Sequence, residues 1–265
     1  LVGDTELELL LARFKLSFEG YRKVRKGVKK RLRRKIQELG LRRFREFLAA
    51  LDSNPDLEAE VRLLLTVSIS RFFRDLEVWR IIEEEILPGL GGPGLIRAWS
   101  AGCGRGEEAY TLRMVHRRLQ RFRPELPPLS LLATDLNPAF LAQAEEGIYP
   151  RSSLREVPEE LKEEFFRPLR GQRRYPVREG LKEGITWREH DLLSGRPPGR
   201  FDLVLLRNNV LTYCRRELKE RALATVEAAL EPGGFLVIGA KERLEPRPGG
   251  WEPFQGRSDI FTYRP

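Results

Sequence analysis

Histidine and cysteine are scarce in this chain, with two of each in 265 residues. Cys103 and Cys214 are too few for a disulfide framework, and no Cys/His set has the spacing of a zinc site. Long apolar runs are missing too. No stretch approaches the roughly 20 apolar residues of a membrane-spanning helix, and the N-terminus lacks the apolar core of a signal peptide. These absences argue against a disulfide scaffold, a metal module and membrane insertion, and nothing addresses the chain outside the cytoplasm. What remains, 41% hydrophobic and 33% charged, suits a globular protein long enough for one large or two modest domains.

Acidic residues are in short supply only at the start. Residues 1–50 hold fifteen Lys/Arg against six Asp/Glu, and the rest of the chain holds 33 of each, so the formal excess of +9 sits in the first fifty residues. Such an imbalance predicts an acidic partner surface, whether nucleic acid, lipid headgroup or acidic protein. Its centre is KVRKGVKKRLRRKIQELG, where Val24, Val28, Leu32, Ile36 and Leu39 recur at helical spacing and Gly40 supplies the stop. Ten of the fourteen residues in 22–35, beginning with Arg22 and ending with Lys35, are basic. One face is predicted to be core and the rest a cationic surface.

Further helices are expected over 5–18, 41–51, 57–65 and 78–87, and the PGLGGPG run at 88–94 reads as a linker. The expected organisation is a basic helical domain at 1–87 and a second domain at 95–265. In the second, short apolar runs at 95–99, 130–133, 185–188, 201–206, 235–238 and 260–263 alternate with helical stretches. That is the pattern of βα units and an α/β fold. The long interval 140–184 contains RRYPVRE, whose alternation predicts a small antiparallel insertion at about 165–190.

The first of these runs leads into AGCGRGEEAY. Without a Cβ, Gly102, Gly104 and Gly106 let a ligand lie against the backbone. The spacing is G-x-G-x-G, neither the dinucleotide fingerprint nor a P-loop. Glu107 and Glu108 would repel a pyrophosphate and attract a cation, which suits the ammonium and sulfonium of S-adenosylmethionine. A tight strand-to-helix turn of any α/β protein fits the same residues.

In open parallel sheets ligands bind beyond the carboxyl ends of the strands, where strand order reverses. The second run is followed by Thr134-Asp135-Leu136-Asn137, with Asp135 placed to accept two ribose hydroxyls or, alternatively, to cap a turn. The third ends at His190-Asp191-Leu192, which could face an adenine ring. The fourth ends at Arg207-Asn208-Asn209. His116, in an arginine-rich helix, is expected at the surface, and His190 borders the site without an assigned role.

Taken in order, FFRD, IRAWSAGCGRGEEAY, ATDLN, GIY, FDLVLLRN and LEPGGFLVIGAKERL resemble the CheR-type chemotaxis receptor methyltransferases, and RLRRKIQELGL extends the resemblance to the N-terminal part. It implies a class I S-adenosylmethionine methyltransferase (Rossmann-like) domain, an all-α N-terminal domain and a small antiparallel β insertion. It further implies methylation of glutamate side chains on chemoreceptor cytoplasmic helices, with S-adenosylhomocysteine as product. Arg74 then reaches the cofactor pocket, Glu107 and Glu108 are the acidic pair that binds the cofactor, with Glu108 the favoured contact for the methionine ammonium, Asp135 takes the ribose, Asp191 and Leu192 the adenine, and Arg207 and Asn208 line the fourth strand end. Receptor helices would dock on the basic helix. Nucleic acid is not an expected partner, and a monomer is expected. A glutamate nucleophile has a reference pKa of about 4.3 and requires no general base, in keeping with the lack of a catalytic histidine.

Three features depart from the family pattern. Ser68 and Ser70 stand where the family has Asn and Thr before the double Phe. Thr212 stands where the family has a Tyr near the reactive methyl, with Tyr213 one residue later. RPLRGQRRYPV, residues 167–177, is short for the loop that docks a receptor's C-terminal pentapeptide, so tether-independent action is expected. A degenerate cofactor-binding sensor or scaffold and, behind it, a nucleic-acid methyltransferase are the competing readings.

Overall fold

A computed structural model describes residues 2–68, 70–90, 94–167, 173–245 and 249–265. The chain forms two compact units: Leu1–Val67 with Asn209–Glu220, and Ser68–Asn208 with Arg221–Pro265. The expected linker at 88–94 falls within the second, and its residues 91–93 lie outside the described residues.

The first unit is helical: α1 (Asp4–Arg13), α2 (Arg25–Glu38), α3 (Phe44–Ser53) and α4 (Pro55–Leu65). Asn54 starts α4, its side chain accepting the Leu57 N–H at 3.0 Å with Pro55 in the first turn. Leu7, Leu10 and Leu11 of α1, Val28, Leu32 and Ile36 of α2, and Phe47, Leu51, Val61 and Leu65 form one core. Burying each such side chain stabilises by about 1.5–3 kcal/mol. The apolar stripe of α2 is therefore as expected at its centre, while Leu39 at its end is exposed. Helix α1 stops five residues short of the expected 5–18, because Lys15 takes a left-handed conformation (φ 55°).

The second unit opens with α5 (Leu76–Ile81), a π-helical turn (Ile82–Ile86) and α6 (Leu87–Gly89). Its sheet contains β1 (Ile96–Ala101), β2 (Leu129–Asp135), β5 (Ile185–Glu189), β6 (Phe201–Leu206), β7 (Leu230–Ile238), β8 (Trp251–Pro253) and β9 (Ile260–Tyr263), in the order β5-β2-β1-β6-β7-β9-β8. Pairing is parallel from β5 to β7 and antiparallel at β9 and β8. Helices α7 (Glu107–Phe122), α8 (Pro138–Glu146), α9 (Glu159–Phe165) and α10 (Glu179–Lys182) follow in the chain, and α11 (Val210–Tyr213) and α12 (Arg216–Ala229) come after β6. Strand order reverses at β1, flanked by β2 and β6, so the carboxyl ends of these strands are the natural ligand position. This is the Rossmann-like arrangement of class I methyltransferases.

The small antiparallel pair joins β3 (Ile148–Pro150) to β4 (Arg174–Pro176). Its first strand lies upstream of the expected 165–190, and 185–189 belongs to the main sheet. Within 167–177, residues 168–172 lie outside the described residues. His116 is fully buried, contrary to its expected surface position. It lies on the packed side of α7, where the Pro127 carbonyl, 2.8 Å from Nε2, supplies the partner that makes burial tolerable. Burial holds its pKa below the usual value. Among the described residues no helix is long and apolar enough to cross a membrane.

Candidate active site

The glycine loop is tied to the end of β2. The N–H groups of Gly102 and Cys103 both donate to the Thr134 carbonyl at 2.8 Å, and the Gly104 N–H donates to Asp135 Oδ2 at 2.8 Å. The other carboxylate oxygen of Asp135 accepts the Asn137 N–H at 2.9 Å. Each oxygen keeps lone-pair capacity for a further donor, such as a ribose hydroxyl. Burial pushes the Asp135 pKa up, and these backbone donors oppose the shift.

Two glycines of the loop serve different ends. Gly104 has φ +58°, and a Cβ there would lie 2.8 Å from Ser68 Oγ. That hydroxyl is buried without a hydrogen-bond partner among the described residues. Gly106, at φ +89°, is instead a packing requirement, because a Cβ would meet Ala144 and Trp187 at 2.8 Å. A cradle without side chains beside an unsatisfied hydroxyl and a buried carboxylate fits a polar, cationic nucleoside.

The two glutamates after the loop part company. Glu108 accepts from Ser100 Oγ at 2.8 Å and pairs with Arg207 at 3.3 Å. Burial pushes its pKa up, Arg207 pulls it down and nearby Glu242 adds to the rise. Glu107 turns toward Ser153, whose Oγ lies 3.4 Å from one oxygen, and its other oxygen has no hydrogen-bond partner among the described residues. Burial raises its pKa also. Glu108 thus stands with the strand-end charges, whereas Glu107 is packed beneath the insertion.

Arg207, whose side chain is 2% exposed, joins the ends of β6 and β1 to the FFRD segment. It donates to Asp75 at 3.0 Å and to the Arg74 carbonyl at 2.8 Å, and its guanidinium lies 5.2 Å from the Trp79 ring centre. Trp79 Nε1 donates to the same Arg74 carbonyl at 2.9 Å. The segment is further pinned by the Phe73 N–H on Thr111 Oγ1. Asp75 and Phe73 both take positive φ, 62° and 53°, a strained turn that these contacts hold. Asn208 also takes a left-handed conformation (φ 55°), and its N–H and that of Gly239 both donate to Glu242 Oε2 at 2.8 Å.

Of the other expected site residues, Ser70 is half-buried, Leu192 is buried, and Asp191 caps the turn after β5 by accepting the Leu193 N–H at 2.8 Å. His190 lies edge-on to Trp99, with ring centres 5.7 Å apart. Asn209 caps α11 through its own side chain. Thr212 and Tyr213 lie on α11 in the helical unit, where the Tyr213 ring meets Tyr21 edge-on. Sequence reasoning missed Ser100, Asp75, Trp79 and Glu242. Asp75 and Glu242 stood in the quoted FFRD and GAKERL runs, but their contacts, to residues more than a hundred and more than thirty positions away, leave no local periodicity.

The family described as "CheR methyltransferase, SAM binding domain" matches residues 68–258. This chain belongs to the CheR methyltransferase family. S-adenosylmethionine is accordingly the cofactor of its matched domain, in agreement with the acidic strand ends. The chain is 34% identical over 203 residues to a chemotaxis protein methyltransferase of Listeria monocytogenes, covering 76% of this chain and 75% of that protein. A probable chemotaxis protein methyltransferase of Rhizobium etli is 30% identical over 223 residues, 81% of this chain and 82% of that one. An uncharacterized 104.1 kDa protein in the hypE 3′ region of Rhodobacter capsulatus is 31% identical over 221 residues, which make up 82% of this chain. There the chain spans about a quarter of the relative, 23% of its length.

Proposed function

We propose that this protein methylates glutamate side chains on the cytoplasmic helices of chemoreceptors, producing methyl esters. The observation that carries the reading is the Glu108–Arg207 pair, from the first turn of α7 and the end of β6 inside the matched domain. The names of the Listeria and Rhizobium relatives support the substrate class. S-adenosylmethionine, when bound, supplies an electrophilic methyl group on a sulfonium. Glu108 would hold its ammonium, Asp135 its ribose and Asp191 with Leu192 its adenine. Gly102, Gly104, Ser68, Ser70, Arg74 and Asn208 would complete the pocket.

The target carboxylate is ionised at neutral pH, so alignment and exclusion of water carry the catalysis. The exposed cations of α2 would meet acidic receptor helices, in a cytoplasmic, monomeric protein that needs no pentapeptide tether. Micromolar binding of a receptor C-terminal pentapeptide would overturn that last point.

The deciding experiment is transfer of labelled methyl to purified receptor cytoplasmic fragments, with release of the label by mild base. Binding of S-adenosylmethionine and its product without ester formation on any fragment would favour a sensor or scaffold. That second reading draws on Thr212 and on the Tyr213 ring lying against Tyr21.

A further inference from the structure

The glycine loop is held from the end of β2 by the Thr134 carbonyl and the Asp135 carboxylate. It is also held from farther along the chain. Tyr149, 3% exposed, donates its hydroxyl to the Arg105 carbonyl at 2.6 Å. All of these residues belong to one compact unit.

Tyr149 closes the GIY run, and the local sequence delivers it to this place. Gly147 ends α8 at φ +69°, where a Cβ would overlap Val177, so glycine is needed for the turn into β3. Pairing of β3 with β4 sets Tyr149 opposite Tyr175. The Tyr149 ring is packed edge-on to Phe72 at 4.8 Å and to Tyr110 at 6.1 Å between ring centres. Burial pushes the pKa of its hydroxyl well up, and the Glu107 carboxylate adds to the rise, so the group remains a donor at neutral pH.

The bond matters because of what it holds. Gly102, Gly104 and Gly106 take φ of 76°, 58° and 89°, and glycine loses more conformational freedom on ordering than any other residue. A ligand that needs such a loop ordered binds more weakly whenever the ordering has to accompany binding. Asp135 is a candidate ribose contact, so its hold on Gly104 is shared with the ligand. Tyr149 is fixed by aromatic packing, and its bond is in place before any ligand arrives.

We propose that Tyr149 is a positioning residue of the cofactor site, its hydroxyl keeping the glycine loop in the shape that receives S-adenosylmethionine. The small antiparallel insertion that carries Tyr149 then serves as a support of the loop. The proposal rests on the S-adenosylmethionine reading of the site and not on the identity of the methyl acceptor. Tyr110 supplies a matched control: its hydroxyl is also buried and also donates to a carbonyl, that of Ala144 at 2.8 Å, which lies on α8 and outside the loop.

The test compares Tyr149→Phe with Tyr110→Phe in the 265-residue chain. Each variant keeps its ring and loses one oxygen, so the aromatic packing is retained. Three quantities are read: calorimetric affinity for S-adenosylmethionine and S-adenosylhomocysteine, the midpoint of urea unfolding without ligand, and amide hydrogen exchange of residues 102–106. Apparent affinity falls with the fraction of molecules whose loop keeps the receptive shape, and one hydrogen bond changes such an equilibrium by about three- to tenfold. Tyr149→Phe should therefore weaken both ligands alike by about three- to tenfold. It should also accelerate exchange in 102–106, and saturating S-adenosylhomocysteine should slow that exchange again. Tyr110→Phe should lower the urea midpoint to a similar extent, with both affinities held within about twofold.

Affinities within about twofold of the parent in Tyr149→Phe overturn the proposal, because a bond worth about three- to tenfold would then hold the fold and not the site. An equal loss of affinity in Tyr110→Phe overturns it too, since the effect would then be a general loosening of the unit. If the parent chain binds neither ligand, the cofactor reading fails and exchange alone judges the hold on the loop. Accelerated exchange in 102–106 of Tyr149→Phe then supports it, and unaltered exchange overturns it.

Discussion

Arg207 and the arginines of α2 carry the same charge in opposite surroundings. The Arg207 side chain is 2% exposed and touches Glu108, Asp75, a carbonyl and an indole face, whereas Arg34 is 73% exposed and pairs with Glu38 on its own helix. In the first setting removing a charge strands its partners in a medium that cannot solvate them. In the second, water and salt replace whatever is lost. The buried cluster thus ties the β6 end to the FFRD segment and to Glu108, and the exposed face is suited to attracting a partner from a distance. Even α2 divides in this way. Arg31 donates to the Leu64 and Thr66 carbonyls and Lys35 pairs with Glu60, so these cations hold the helix in place, while Lys26 and Lys30, with Lys23 just before the helix, are exposed.

The sharpest way to break the comparison is Arg207→Ala. It should destabilise the protein by about 3–5 kcal/mol in urea unfolding; a change near that of a surface substitution would mean the cluster is not electrostatically coupled. Next, Asp135→Ala should weaken binding of S-adenosylmethionine by about a hundredfold or more in calorimetry, the cost of losing about two hydrogen bonds to a charged acceptor. An unchanged affinity would remove Asp135 from the pocket.

On the exposed side, replacing Lys23, Lys26 and Lys30 together by Ala should move stability by less than about 0.5 kcal/mol per site. The same variant should raise the KM for receptor severalfold and flatten its dependence on salt. A KM unaffected by both the substitutions and the salt would make α2 a solvated face and nothing more.

The smallest effect concerns Glu107. Burial raises its folded pKa, so the folded state holds its proton over a pH range where the unfolded chain, titrating at about 4.3, has released it. Stability from this group is complete below the unfolded value and is lost as pH rises through the folded one. Glu107→Gln should therefore be more stable than the parent at pH 7–8, with the gain fading below about pH 4. Thermal unfolding across that range checks the sign, and a gain that grows toward acid would refute the assignment.

The comparison also shows which features were legible without coordinates. The stripe of Val28, Leu32 and Ile36 and the run of strands around AGCGRGEEAY rest on local rules: helical period, β propensity and glycine turns act over a few residues. Asp135 was legible for the same reason, as the polar residue at the end of a strand. His116 was not, since whether an arginine-rich helix face meets solvent or the Pro127 carbonyl depends on packing of distant chain. The split between Glu107 and Glu108 was only half legible: adjacent residues on a helix point about 100° apart, but which direction holds Arg207 is a tertiary fact.

The chemistry of the glycine loop, its acidic followers and the uneven charge were determined by the sequence alone, because composition and short-range backbone geometry are properties of neighbours. What only the tertiary structure decided is which of those charges meet. Glu242 fixes the left-handed Asn208 from 34 residues away, and Gly20 leaves room for the carbonyl of Thr212. Such contacts come from chain folded back on itself, and sequence spacing carries no record of the distance they close.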